Sequence, residues 1–438
     1  AGAARIVARL KGGDPAVFGR VGEEAEALAA GGIPFEIIPG VTSAIAVPAY
    51  AGIPVTHRDY ASSVSIATGH ERIDKSRPGV DWDRLSESEG TLVFLMGVAA
   101  LSRLAEELMR RGKDPATPAA VIRWGTWMEQ SAVVGSLSTI ARQAEEAGMT
   151  SPAVIVVGDV VRMREKIAWF EKKPLFGLRV LVTRAGEQAG ELAEAIDGLG
   201  GEAVEWPVIR LEPAAADPGH DAFAHPERYD WLLFTSVNGV RFFFEACAKH
   251  RVDLRRYARA RIAAVGPKTA EALEQRGWYP DLVPSVYQGS ELAKALLARI
   301  RPGERALLPR ARAGRADLPE MLREAGMLVD DLPVYDTKLA EEGGDEAYGM
   351  LAEGRIGAVA FTSSSTVANL LELLARRGWE RPAEALAGAA VFCIGELTAD
   401  TARKAGLSVA AVAEEATIPS LVEAMVLYNI RRNGRDAT

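Results

Sequence analysis

The chain has 438 residues, of which 48% are hydrophobic and 25% charged, and its formal net charge is −8. This length suits about three domains, and this balance excludes a disordered or fibrous chain. Net negative charge argues against nucleic acid as a partner, and the absence of any apolar run near ~18 residues argues against a membrane span.

Residues 5–10 read as a buried strand running into a glycine loop at Lys11-Gly12-Gly13-Asp14-Pro15. A strand needs neighbours and position 1 is not methionine, so the natural N-terminus is expected to lie further upstream. The start, AGAARIVARL, has no signal-peptide pattern, and a cytoplasmic location is expected. Apolar spacing predicts helices over 22–30 and 43–50, and strands over 35–38, 64–68, 92–96, 119–123 and 154–157. The stretch 162–177 carries a charge run, a proline and a glycine, and a domain boundary is placed there.

From Leu178 the pattern restarts. Strands are predicted over 179–183, 231–234, 262–265, 359–361 and 391–394, with a short one at 307–308. Helices are predicted over 189–199, 269–276, 318–325 and 418–426. Such alternation argues a parallel sheet covered on both faces, with ligands bound beyond the carboxyl ends of its strands. Cys247 and Cys393 lie in apolar runs and are expected as buried thiols. His57, His70, His220, His225 and His250 lack metal-ligand spacing, and the last three read as surface positions.

The last 260 or so residues contain a duplication. Phe234-Thr235-Ser236 recurs as Phe361-Thr362-Ser363, and Val265-Gly266 recurs as Ile394-Gly395, each glycine followed by a threonine, Thr269 and Thr398. Thr183-Arg184 is echoed by Pro309-Arg310, and Ser290 before Leu292 by Ser420 before Leu421. The spacing is about 130 residues, a domain-sized unit too long for a solenoid repeat. Two like lobes facing one another make a cleft that can hold a large ligand.

Two family resemblances follow from ordered blocks. The run LKGGDPAVFGRVGEEAEAL, then IPGVTSAIAVPAYAGIPVTHR, LVFLMGV, the Gly125-Thr126 turn and SPAVIVVGDVV resembles the uroporphyrinogen III C-methyltransferase family over about 5–165. The resemblance implies S-adenosylmethionine as cofactor and precorrin-2 as product, with the siroheme or cobalamin branch left open. It carries cofactor contacts onto Gly12, Gly13, Asp14, Val17, Thr42, Ser43, Met96, Gly125, Pro152 and Ala153. Met96 is expected in an apolar wall. Val21 stands where that family usually has glycine, and its first glycine-rich loop and its acid–lysine pair fall upstream of this sequence. The expectation is a partial cofactor site, methyl transfer inactive as truncated, and a homodimeric methyltransferase region.

The blocks LRVLVTRAGEQAGELAEAI, YDWLLFTSVNGV, IAAVGPKTAEALEQRG, ALLPRARAGRADLPEMLREAG, LPVYDT, AFTSSSTV and FCIGELTADTARKAG resemble uroporphyrinogen III synthase over about 178–432. The implied fold class is α/β: a partial tetrapyrrole (precorrin) methylase fold followed by two flavodoxin-like doubly wound α/β lobes joined by a two-stranded linker. The implied domains are 1–165, a linker at 166–177, one lobe from 178–208 with 338–432, and the other from 212–333. PVIRL (207–211) and LPVYD (332–336) are the implied paired connectors. The implied reaction cyclises hydroxymethylbilane to uroporphyrinogen III without a cofactor. Arg184, Arg310 and Arg315 are expected to pair with its carboxylate arms. Thr235, Ser236, Thr269, Ser363, Ser364 and Thr398 are expected to bind it through strand-end loops, and Tyr335 to assist departure of water. Arg312 reads as a solvated charge. The rival readings are a non-catalytic two-lobed tetrapyrrole sensor and a doubly wound sugar- or nucleotide-binding protein.

Overall fold

The computed structural model describes residues 6–69, 80–183, 187–214, 221–314, 316–432 and 434. Three five-stranded sheets organise them. The first contains β1 (Val64–Thr68), β2 (Thr91–Leu95), β3 (Pro118–Arg123), β4 (Ser131–Ser136) and β5 (Ala153–Val157), in the order β1-β2-β5-β3-β4. Only β1 and β2 run parallel, while β5 lies antiparallel between β2 and β3. Its central strands are continuous apolar runs such as Ala119–Ile122, fully buried because helices or loops cover both faces.

The predicted strands at 5–10 and 35–38 are not formed. Residues 6–10 and 33–38 are extended coil, with Ile6, Val7, Leu10 and Ile38 all more than 70% exposed. Apolar content alone does not make a strand: each backbone N–H and C=O needs a partner, and no described strand lies beside them. The helix Val21–Ala30 forms close to where it was expected, and Ser43–Tyr50 forms over the expected residues.

β6 (Arg179–Val182), β7 (Glu202–Glu205), β8 (Ile209–Pro213), β9 (Trp231–Phe234), β10 (Arg261–Ala264), β11 (Arg305–Ala311), β12 (Leu328–Leu339), β13 (Ala358–Phe361), β14 (Ala390–Cys393) and β15 (Val409–Val412) build the other two sheets. Their orders are β10-β9-β11-β12-β8 and β15-β14-β13-β6-β7. All pairings in them are parallel except β12 with β8. The repeated blocks occupy matching places: β9 and β13 end at the Thr-Ser turns, β10 and β14 at the glycine turns, and β11 and β6 at Arg310 and Thr183. The copies interleave, since β6 pairs with β13 rather than with β9, and β7 lies at the edge beside β6.

Two strands connect these sheets. β12 starts beside β11, then continues as an antiparallel ribbon with β8, Tyr335 opposite Pro213 and Leu339 opposite Ile209. The paired segments are therefore 209–213 and 335–339, a few residues beyond the expected PVIRL and LPVYD, because Leu332 and Pro333 still belong to the ladder with β11. The charge run at 162–177 is not a solvated helix. It makes a four-residue helix, Arg164–Ile167, then an aromatic knot in which Trp169 and Phe170 pack on Tyr50, and Phe170 on Phe176. Arg164 and Glu171 face each other there at 3.0 Å.

Candidate functional site

At one end of the first sheet, the expected cofactor positions converge. β5 pairs Val154 with Leu95 and Ala153 with Arg123, so Met96, Pro152-Ala153 and Gly125 emerge side by side. The Trp124 amide donates to the Pro152 carbonyl at 3.3 Å. The Gly12-Gly13-Asp14 loop lies against the Thr42-Ser43 turn: Gly13 has φ +82, and a Cβ there would stand 3.3 Å from the Val41 oxygen. Asp14 accepts from the amides of Ala16 (2.8 Å) and Gly40 (3.0 Å), so its carboxylate ties the two loops together. Thr42 caps Ser43–Tyr50 by accepting from the Ala44 amide, Ser43 is exposed, and Val17 is half-buried with its amide on the Asp14 carbonyl.

Gly125 could not be alanine without movement, since a Cβ there would lie 2.3 Å from a Val47 methyl. Met96 is 57% exposed, in contrast to the expected apolar wall, because it follows the last paired residue of β2 and turns outward with φ 56. Trp124 (φ 49) and Thr126 (φ 76) are also left-handed. Non-glycine residues rarely adopt this conformation, and a β-branched one least of all, so strain gathers at this edge. The sequence marked the Gly125-Thr126 turn but carried no signal for Trp124 or the buried Gln130 beside it.

At the carboxyl ends of β9–β12, Ser236 caps Val237–Lys249 by accepting from the Gly239 amide at 2.9 Å. Gly266 starts Pro267–Glu274 and is covered by Tyr287, whose ring would lie 3.2 Å from a Cβ there. Tyr335 is 8% exposed, stacks on Phe242 at 5.1 Å, and brings its hydroxyl 3.5 Å from Ser236 Oγ. Thr235 is half-buried just before that cap. Arg310 pairs with Asp331 at 2.7 Å, and Arg312 pairs with Asp336 at 2.9 Å while its amide donates to the Tyr335 carbonyl. Arg312 is therefore a paired neighbour of Tyr335 rather than a purely solvated charge.

The other sheet repeats the arrangement. Ser363 caps Ser364–Arg376, and Ser364 Oγ donates to the Leu397 carbonyl at 3.1 Å, joining that helix start to the one at Gly395. Thr269 and Thr398 are each 5% exposed: their side chains turn into the core, so any contact they offer a ligand is through backbone. Arg184 and Arg315 lie outside the described residues, as do His70 and His220. His225 is exposed, but His250 is half-buried and stacked on Phe223 at 4.7 Å, because its helix returns it to the core.

The two strand-end surfaces meet. Lys268 Nζ, in the first turn after Gly266, donates to Glu191 Oε2 on Glu187–Gly198 at 2.8 Å. Each sheet thus presents helix N-termini at its strand ends, a setting that favours anionic groups. Cys247 and Cys393 are free and buried, and burial pushes their thiols up to about 12 and about 11. They stay protonated at neutral pH and take no part in nucleophilic chemistry.

Two mostly parallel five-stranded sheets following a mixed one define an α/β protein of several sheets, and sequence comparison makes its class specific. The family profile described as uroporphyrinogen-III synthase HemD matches residues 190–423, and that of the tetrapyrrole (corrin/porphyrin) methylases matches 1–141. The chain belongs to the uroporphyrinogen-III synthase HemD family and carries a tetrapyrrole methylase region ahead of it. It is 38% identical over 421 residues to the porphyrin biosynthesis protein HemD of Ruminiclostridium josui, covering 96% of this chain and 82% of that protein. The S-adenosyl-L-methionine-dependent uroporphyrinogen III methyltransferase of Methanosarcina barkeri is 58% identical over 161 residues, 37% of this chain and 63% of that protein. A mutant uroporphyrinogen III synthase from the extremely thermophilic bacterium Thermus thermophilus has a crystal structure that aligns at 25% identity with a TM-score of 0.42, over 58% of this chain and 99% of that one.

Proposed function

We propose that residues 178–208 with 338–432, and 212–333, form the two lobes of a synthase that converts hydroxymethylbilane to uroporphyrinogen III. The observation that carries this reading is that each sheet presents a pair of strand-end helix starts, at Ser236 and Gly266 on one and Ser363 and Gly395 on the other, with Lys268 beside Gly266 reaching Glu191 of the other sheet's region. A linear tetrapyrrole with eight carboxylates needs many donors, and backbone amides supply them without stacking unpaired cations. Arg310 is held by Asp331, so a substrate carboxylate would take over a partner already in place.

The reaction breaks the C–O bond of the hydroxymethyl group, and water leaves with a proton that the Tyr335 hydroxyl helps deliver. The last pyrrole ring attacks the azafulvene so formed through its substituted α-carbon, and the bond from that carbon to the preceding bridge carbon breaks to leave a second azafulvene. The ring's free α-carbon then bonds to that bridge carbon and loses its proton, so that the ring is inverted and the macrocycle closed. The Tyr335 hydroxyl faces Ser236 Oγ, a weak acid, and the catalytic contribution is control of substrate conformation, with no cofactor. Nothing in the matched families favours the non-catalytic sensor.

The first region, about 1–165, is proposed to hold S-adenosylmethionine at Gly12, Gly13, Asp14, Val17, Thr42, Ser43, Met96, Gly125, Pro152 and Ala153. The residues fit as a set of close turns: Gly12 is exposed with open space at its Cβ position, while Gly13 packs on the Val41 carbonyl and Gly125 on Val47. The cofactor would supply the methyl group, and these residues would bind and orient it. The chain spans 63% of the Methanosarcina protein, and methyl transfer remains part of this proposal. A cytoplasmic location suits an octa-anionic substrate, and exposed Phe35, Ile37 and Ile38 offer apolar surface to a second copy of this region. Incubating the chain with hydroxymethylbilane and separating the products by chromatography tests the synthase reading. Isomer III in excess over spontaneously formed isomer I is expected, and isomer I alone would refute it.

A further inference from the structure

We propose that Arg179, a residue of the synthase region, is a positioning residue for the Gly125 turn of the methylase region, acting through Glu129. Its guanidinium stands at the start of β6 with the side chain only 6% exposed. Two of its partners belong to its own region, Glu202 on the neighbouring β7 and Arg355 in the loop before β13: Nε donates to Glu202 Oε2 at 2.8 Å and Nη1 to the Arg355 carbonyl at 3.2 Å. The third does not, for Nη2 donates to Glu129 Oε1 at 2.5 Å, in the loop that follows Gly125. A buried cation shared between two regions fixes their relation more firmly than exposed pairs do, because leaving it unpaired is costly.

The loop needs such support. Trp124 and Thr126 both hold left-handed backbone, which persists only where the surroundings over-determine it. Two adjacent residues do this. Gln130 Oε1 accepts from the Thr126 amide at 2.9 Å, and its Nε2 donates to Glu171 Oε1 at 2.8 Å and to the Tyr50 carbonyl at 3.4 Å. Glu171 is itself gripped by Arg164. Glu129, next in the chain, is held by Arg179. The turn is thus anchored from the connector through Gln130 and from the synthase lobe through Glu129, and the synthase region is a structural part of the cofactor turn. The functional meaning of this latch rests on the reading of Gly125 as a cofactor contact.

The test uses the full chain with Glu129→Gln, which keeps shape and touches only the inter-region arm, and Arg179→Lys as a second variant. Hydrogen exchange of residues 124–131 is expected to rise about tenfold in both variants, with β3, β5 and β9 unchanged. S-adenosylhomocysteine binding, measured by calorimetry, is expected to weaken by a similar factor while hydroxymethylbilane turnover stays at the wild-type rate. Wild-type exchange over 124–131 in Glu129→Gln, or equal loosening of the whole chain, would overturn the proposal. If exchange responds but neither wild type nor variant binds S-adenosylhomocysteine, the latch stands and the cofactor reading of Gly125 falls.

Discussion

Tyr335 keeps its ring in the core against Phe242 and sends its hydroxyl toward Ser236, so removing the oxygen should change chemistry with little change in packing. Tyr335→Phe is expected to lower the rate of isomer III formation about tenfold, whereas Ser364→Ala, which loses one bond to a carbonyl, should stay within about twofold. A stopped assay resolving isomers III and I measures both, and a wild-type rate for Tyr335→Phe would remove the proposed role. The buried thiols make a pH prediction. Because their folded pKa values are raised from 9.0 to about 12 and about 11, their contribution to stability is complete below pH 9 and is lost as pH rises toward 11–12. Native protein should resist alkylation by iodoacetamide at pH 8, and urea midpoints should fall above pH 9. Residue identity made Tyr335, Arg310 and the serines legible as candidates. It did not disclose that Thr269 and Thr398 face inward, because three residues past a glycine cap a helix has already turned that side chain beneath it.

Among the elements, helix starts carry most of the site. Ser236 and Ser363 each accept an amide hydrogen bond from their own helix, at 2.9 and 3.3 Å, so replacing either by alanine should cost about 1 kcal/mol of stability. Urea denaturation followed by circular dichroism reads this, and unchanged midpoints in both variants would show that the caps contribute little. Most strands were legible from local pattern, since four buried apolar residues followed by a glycine or serine turn leave few alternatives. The segments at 6–10 and 35–38 carry the same pattern and stay unpaired. A strand is completed by its neighbour, and local composition cannot report whether one is present.

For the molecule as a whole, the β8–β12 ribbon and the Lys268–Glu191 contact relate the two proposed lobes. An exposed pair of this kind holds little by itself, so the lobes should open readily for substrate. Zero-length carbodiimide coupling of Lys268 to Glu191 is expected to cut hydroxymethylbilane turnover at least about tenfold, with Lys268→Ala immune to the treatment. Equal turnover before and after coupling, verified by peptide mapping, would show that closure does not limit the reaction. By itself the sequence determined most of the strands and helices, with 6–10 and 35–38 as the exceptions, where the chemistry-bearing turns fall and that a unit is duplicated, because periodicity, glycine and capping act within a few residues. The family resemblance implied that the segment of β6 belongs with that of β13, and only the tertiary structure decided that Thr269 is buried while Met96 is exposed, and that Arg179 meets Glu129. Those outcomes are set by packing between residues distant in the chain, where neither partner's local sequence carries information about the other.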